Sequence, residues 1–279
     1  MILFVKVLPP SPQPTTQKPM IDVTFTYGDL EYFLLILVRV SAFVFVAPFF
    51  SARGIPARYK VAFSLFIAIV LYDVAPRAGL DYSTVYGYAF IVIKEVLTGA
   101  ILAFAALICM QIGSFAGQII DMMTGLSMVS IMDPATNTNV TITGALYQQM
   151  LMIMLIISGM YRYLIKALAD SFTIIPVNGA VFQMHFLLRT MLEFMKDYMV
   201  IGFRITLPVF IVSFTMNIVL GILAKVSPQL NMFAVGMQLK ILVGLGILFL
   251  TSSMLSIASD FVFDQMKILI QEFAYGLTP

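Results

Sequence analysis

Residues Leu207–Leu250 read LPVFIVSFTMNIVLGILAKVSPQLNMFAVGMQLKILVGLGILFL, and this stretch decides the fold class. It carries two charges, Lys225 and Lys240. It belongs to two apolar runs, Met199–Ala224 and Phe233–Ala258, each longer than the roughly 20 residues an α-helix needs to cross a bilayer. Ser227-Pro228-Gln229-Leu230-Asn231 separates them by only a few residues, so the two runs form a tight helical hairpin. Pro208 and Gly221 are tolerated within a membrane helix where neighbours satisfy the freed backbone groups. Gly236, Gly244 and Gly246 on the returning helix let a partner helix approach closely.

The rest of the chain has the same character. Of its 279 residues, 61% are hydrophobic and 11% charged, with a mean hydropathy of +0.99. Soluble domains run at about 45–50% apolar and about 25% charged, so this is an all-α integral membrane protein built of apolar hairpins. A net charge of +2 offers nothing for nucleic acid. One cysteine, Cys109, excludes an intrachain disulfide, and His185 as the one histidine leaves a zinc site short of ligands. No nucleophile–base pair, phosphate loop or cofactor motif is present, so no enzyme, metal or cofactor is expected.

Working back from the hairpin, further spans are expected at Phe33–Phe50, Ala57–Tyr72, Val85–Ile112 and Ala145–Ala167, six in all. A proline-rich arm occupies residues 1–24, with five prolines between Pro9 and Pro19. A front helical region follows at 25–197 with a central loop at 113–141, then the hairpin at 198–260 and an amphipathic segment at 261–279. A second amphipathic helix is expected before Asp197, with Phe186, Leu187, Met191, Leu192, Phe194 and Met195 against Arg189, Glu193 and Lys196. In the last segment Phe261, Met266, Ile270 and Phe273 form the apolar face.

Arg39, Lys94, Glu95, Arg204 and Lys240 lie inside apolar runs. A central arginine or lysine costs at least ~2.5–3.5 kcal/mol, so each should face protein or water, with carboxylate or carbonyl partners for Arg39 and Arg204. Snorkelling near a span end is the alternative for Lys94 and Lys240. Lys94 and Glu95 are adjacent, so on a helix they diverge by about 100° and should not share one site. With six alternating spans, one side collects eight basic residues and the other four, including the cluster Arg53–Lys60. That bias is weak for single-chain insertion. Either the span count differs or the helices do not finish as a conventional bundle.

GLSMVSIMDPATNTNVT, Gly125–Thr141, interrupts this pattern with polar residues. From Glu95 to Tyr161 there is no lysine or arginine, and Glu95, Asp121 and Asp133 are the only charges. An ordinary exposed loop carries charge, and an ordinary span does not carry Asn137, Thr138 and Asn139. Met122, Met123, Met128 and Met132 crowd the same region.

Four segments together are similar to the FliR family of flagellar export-gate proteins and its injectisome counterparts. LVRVSAFVFVAPFF followed by IPARYKVAFSL resembles the family's opening through Arg39, Pro48, Ile55, Pro56, Arg58 and Lys60. AGQIIDMMTGLSMVSIMDPATN resembles its central Gly-Leu and Asp-Pro segment. DSFTIIPVNG matches through Ser171, Phe172 and Pro176. The hairpin matches through Pro208, Gly221, Pro228, Gln229, Asn231, Phe233, Gly236 and Lys240. Asp121 stands where the family is usually uncharged.

The resemblance implies a subunit of the gate that exports unfolded proteins across the bacterial inner membrane at the flagellar basal body. It implies FliP-like and FliQ-like partner subunits, other export apparatus proteins, membrane lipid around the complex and unfolded protein substrates in transit. It also implies a FliP-like front half fused to a FliQ-like hairpin. In such a pore the loop's Gly125, Leu126, Ser127, Met128, Ile131, Met132, Asp133 and Pro134 are expected to form a plug. Gly125 would be the hinge, with Met128 and Ile131 on one face of a helical turn. Methionine deforms around passing side chains, and hydrophobic constrictions gate by dewetting. Lys225, Pro228, Gln229 and Asn231 are expected at an entrance-side turn. A small secondary transporter and a non-conducting assembly scaffold are the alternatives.

Overall fold

The computed structural model describes residues 27–51, 54–76, 82, 84–128, 130–133, 138–227, 229 and 232–278. Its helices are α1 (Tyr27–Val46), α2 (Ala57–Tyr72), α3 (Val85–Thr124), α4 (Ile142–Ile157), α5 (Met160–Ile174), α6 (Met184–Val226), α7 (Met232–Thr251) and α8 (Leu255–Tyr275). Two 3₁₀ turns, Leu126–Met128 and Ser252–Met254, and a two-stranded hairpin of β1 (Ser130–Asp133) and β2 (Thr138–Thr141) complete the order. The all-α class expected from the hydropathy holds.

At 40 residues, α3 is about 60 Å long at ~1.5 Å per residue, and it packs on α1, α4, α6 and α8. Leu102, Ala103, Ala105, Ala106, Cys109, Met110 and Ile112 are all buried. At about 100° per residue they cover one half of the helix, while Phe104 on the opposite side is exposed, so α3 packs with one broad face. Against it lie Leu35, Ile36, Val40 and Phe43 of α1 and Leu151 and Leu155 of α4. From α8 come Val262, Phe263, Met266, Leu269, Ile270 and Phe273. The expected apolar face of the last segment is therefore seated through Met266, Ile270 and Phe273, while Phe261 stays 42% exposed.

The expected six spans are corrected. Among the described residues three helical stretches, Val85–Thr124, Met184–Val226 and Val235–Tyr275, are long and apolar enough to cross a membrane, and the α4–α5 pair makes a fourth if it is one bent span. The Ala145–Ala167 run is not straight: the two helices meet at 71°. Gly159, at φ 72°, adopts the left-handed conformation that ends α4. α1 contains Asp29, Glu31 and Arg39, and α2 has 16 residues, about 24 Å, short of the ~30 Å hydrocarbon core.

The amphipathic segment before Asp197 is not a separate helix. It is the first part of α6, a 43-residue helix that continues through Pro208. The boundary placed at 197/198 falls inside α6, and that at 260/261 inside α8. In the chain by itself, 44% of the most apolar window of α3 is buried, but only 11% of that in α6 and 6% of that in α7–α8.

The end of the chain folds back onto the loop before α6. Val181 N–H donates to the Leu277 carbonyl and Gln183 N–H to that of Gly276, both at 3.1 Å. Leu277 is buried with Ile175 and Ala180.

Candidate functional site

Two constructions stand out among the expected site residues. The first is built on Arg39, which is fully buried in α1. Its Nε donates to the Glu95 carboxylate of α3 at 2.5 Å. Nη1 donates to the carbonyl oxygens of Ile175 at 2.8 Å and Ser171 at 3.4 Å, and Nη2 to that of Pro176 at 3.4 Å. The guanidinium carbon lies 4.4 Å from the centre of the Phe172 ring. Arg39 thus serves the carbonyl of Ile175, the residue that ends α5, and adds a second donor to those of Ser171 and Pro176, which also accept from Ile175 N–H and Gly179 N–H. A cation is favoured at this end by the helix dipole. The expected carboxylate and carbonyl partners of Arg39 are both present.

The other Glu95 oxygen accepts from Asn178 N–H at 2.9 Å. Lys94 Nζ donates to the Asn178 carbonyl at 3.2 Å. The expectation that Lys94 and Glu95 cannot share a site is corrected here. They diverge from α3, yet a single left-handed residue, Asn178 at φ 67°, offers its N–H to one and its C=O to the other. In the sequence DSFTIIPVNG stands out through Ser171, Phe172 and Pro176, and nothing in it marks the backbone carbonyls that Arg39 and Lys94 reach. The available signal was a buried arginine beside a segment that ends a helix, where unpaired carbonyls collect.

The second construction is the Gly125–Thr141 stretch. Gly125, at φ 87° and ψ 2°, caps α3, its N–H donating to the Asp121 carbonyl at 3.0 Å. Leu126 is buried and Ser127 exposed. The strands then pair antiparallel, Ser130 with Thr141, Ile131 with Val140, Met132 with Asn139 and Asp133 with Thr138. Met128 and Ile131 are therefore not on one helical turn: Met128 ends a 3₁₀ turn and Ile131 lies in a strand. Gly125 stops the helix, and Ile131, Thr138, Val140 and Thr141 are β-branched residues that suit strands. Pro134 and Asn137 lie outside the described residues.

The base of this hairpin is braced. Buried Asp121 near the end of α3 accepts from Thr143 N–H at 2.8 Å and from the Thr143 hydroxyl. Thr143 is in the first turn of α4, and the N-cap residue Thr141 makes no side-chain cap of its own. A carboxylate from another helix thus satisfies an α4 terminal donor and meets the positive end of its dipole. Four residues earlier α3 and α4 touch backbone to side: a Cβ on Gly117 would lie 2.4 Å from Gly144 N and Cα. On the hairpin's other flank a Cβ on Gly244 would lie 2.4 Å from Thr124 Cγ2, so α7 leans on the same base. A Cβ on Gly236 would meet Leu220 at 3.4 Å, and one on Gly246 would meet open space.

The remaining predicted residues are not gathered into either construction. Arg204 of α6 is exposed, its guanidinium 5.2 Å from the centre of the Phe261 ring. Lys240 is half-buried in α7. Lys225 lies in the last turn of α6 and Gln229 in the following turn, both exposed. Pro228 and Asn231 lie outside the described residues.

The model of a family described as bacterial export proteins, family 1, matches residues 30–266. The flagellar biosynthetic protein FliR of Bacillus subtilis (strain 168) is 28% identical over 237 residues, 83% of this chain and 90% of that protein. FliR of Escherichia coli (strain K12) is 27% identical over 218 residues, covering 76% and 80%. The surface presentation of antigens protein SpaR of Shigella flexneri is 23% identical over 236 residues, covering 83% and 91%.

Proposed function

The chain belongs to the bacterial export proteins, family 1, and from that premise we propose that it is a core subunit of a type III protein export gate in the bacterial inner membrane. In this reading it forms part of the pore and its plug, with FliP-like and FliQ-like subunits beside it and unfolded protein substrates passing through. Higher identity to FliR of Bacillus subtilis than to SpaR, 28% against 23%, favours the flagellar apparatus.

The observation that carries the gate reading is the braced hairpin. Irregular backbone among apolar helices is tolerated only when buried in protein or lining a water-filled cavity. Here a polar two-stranded hairpin leaves the end of α3 on a base fixed by Asp121–Thr143 and the Gly117–Gly144 contact. A constriction without lysine or arginine does not select passing chains by one sign of charge. A fixed base with a narrow hairpin is the form a plug needs: it can move as a unit while the surrounding helices stay packed. The thin burial of α6 and α7 supports membership of a larger complex, as apolar faces of that size are covered by lipid or partner helices. A secondary transporter is disfavoured because both oxygens of buried Glu95 are engaged by Arg39 and Asn178, so this carboxylate is not free to serve a coupling site.

Deleting residues 126–135 in the assembled complex is expected to raise ion conductance across the membrane while export of protein continues. A deletion complex that assembles fully and conducts no more ions than wild type removes the plug.

A further inference from the structure

From the groove between α6 and α8, which the export reading does not use, we infer that this chain carries a specific site for an acidic phospholipid, with Arg204 holding the headgroup phosphate. The groove encloses a cavity of about 90 Å³, lined by Tyr147, Ile201, Pro208, Thr251 and Leu255, with Arg204 and Phe261 also on its wall. Its lining is apolar apart from Arg204, the Thr251 hydroxyl and the Tyr147 phenol, and Thr251 donates within its own helix to Ile247. It runs from Phe261 of α8 down to Thr251 at the end of α7, ten residues or about 15 Å at the helical rise. That is the length of a substantial part of an acyl chain.

Composition places this groove at the edge of the hydrocarbon layer. The polar part of α6 ends at Asp197, and its apolar run begins at Met199. The apolar run of α7–α8 ends at Ala258, with Asp260, Asp264 and Lys267 beyond it. The two boundaries lie side by side, since Gln265 Nε2 donates to Asp197 at 2.9 Å. Arg204 is seven residues past Asp197, about 10 Å into the apolar layer, within reach of the headgroups for a long side chain pointing outward.

Charge complementarity identifies the occupant. The ion pairs among the described residues are Arg39–Glu95, Arg189–Glu193 and Lys267–Asp264, and Arg204 is in none of them. Its guanidinium has the Phe261 ring on one side, and its in-plane donors meet no acceptor among the described residues. A phosphate diester matches those donors in bidentate fashion. Pro208, four residues on, has no N–H to give the Arg204 carbonyl, so the same residue also presents an acceptor for a headgroup hydroxyl.

The test uses the full complex purified in detergent and stripped of lipid, with native mass spectrometry reading retained lipid. Phosphatidylglycerol, phosphatidylcholine and inorganic phosphate are the probes. Wild type should retain phosphatidylglycerol over phosphatidylcholine, and inorganic phosphate should not displace it. Arg204→Gln should lose at least about tenfold of that retention. Ala258→Phe, which fills the groove and keeps the cation, should lose it as well. Equal retention in wild type and Arg204→Gln overturns the site, and displacement by inorganic phosphate overturns its lipid character. If Arg204→Gln blocks assembly, Ala258→Phe decides: lost retention supports the lipid, and unchanged retention assigns Arg204 to a partner subunit's carboxylate instead. None of these readouts depends on protein export.

Discussion

Glu95 divides its two oxygens between a cation and a backbone N–H, and that division fixes what its loss costs. In Glu95→Gln the amide can accept from Arg39 or Asn178, but the guanidinium then stays charged and fully buried with only neutral carbonyl partners. Removing one partner of such a pair typically costs about 3–5 kcal/mol. The thermal midpoint of the purified complex should fall accordingly, with lower accumulation in the membrane. Replacing the pair together, Arg39→Met with Glu95→Leu, should recover most of the loss, because no charge is then left buried. Equal stability of Glu95→Gln and wild type would refute the structural role assigned to this pair.

The α3–hairpin–α4 unit depends on contacts that neither helix makes alone. Asp121 accepts two hydrogen bonds from Thr143, and an asparagine there can accept with only one atom while turning an amide donor toward a donor. Leaving a buried donor unmade costs about 1–3 kcal/mol. In Asp121→Asn the Thr143 amide should therefore exchange its hydrogen about ten- to a hundredfold faster, read by hydrogen exchange of the assembled complex. The amides of α1 around Arg39 should be unaffected. Unchanged exchange at Thr143 would show that the strand pairing alone holds the base. Gly125 ends α3 within this element, its N–H donating to the Asp121 carbonyl.

Over the whole molecule, burial is divided unevenly. α1, α3, α4 and α8 share one core, whereas Phe203, Phe214 and Val226 of α6 and Phe249 and Leu250 of α7 stand out from it, Phe249 at 79% exposure. Helices packed so thinly within their own chain are completed by other subunits or by lipid. Expressed without FliP-like and FliQ-like partners, the chain should give degraded or aggregated material, and co-expression should restore a stable complex on size-exclusion chromatography. A monodisperse monomer in detergent would contradict this. The sixfold alternation expected from hydropathy failed at the same scale: α1 is held inside the bundle by its buried arginine, and α4–α5 bends at Gly159.

By itself the sequence determined the class, a membrane protein of helical hairpins, because burial in lipid is a local property that each run of about 20 residues reports. It also determined that Arg39 must have partners, since an isolated charge among apolar residues is untenable. Which partners it has was decided only in three dimensions: Glu95 lies 56 residues away and Pro176 lies 137 away. The same holds for Asp121, whose partner Thr143 is 22 residues on, across a stretch expected as a loop with one helical turn and found paired as strands. Hydropathy and composition fix which face of a helix is apolar. Hydrogen-bond partners are chosen by which ends meet when helices dock, and no local pattern encodes that meeting.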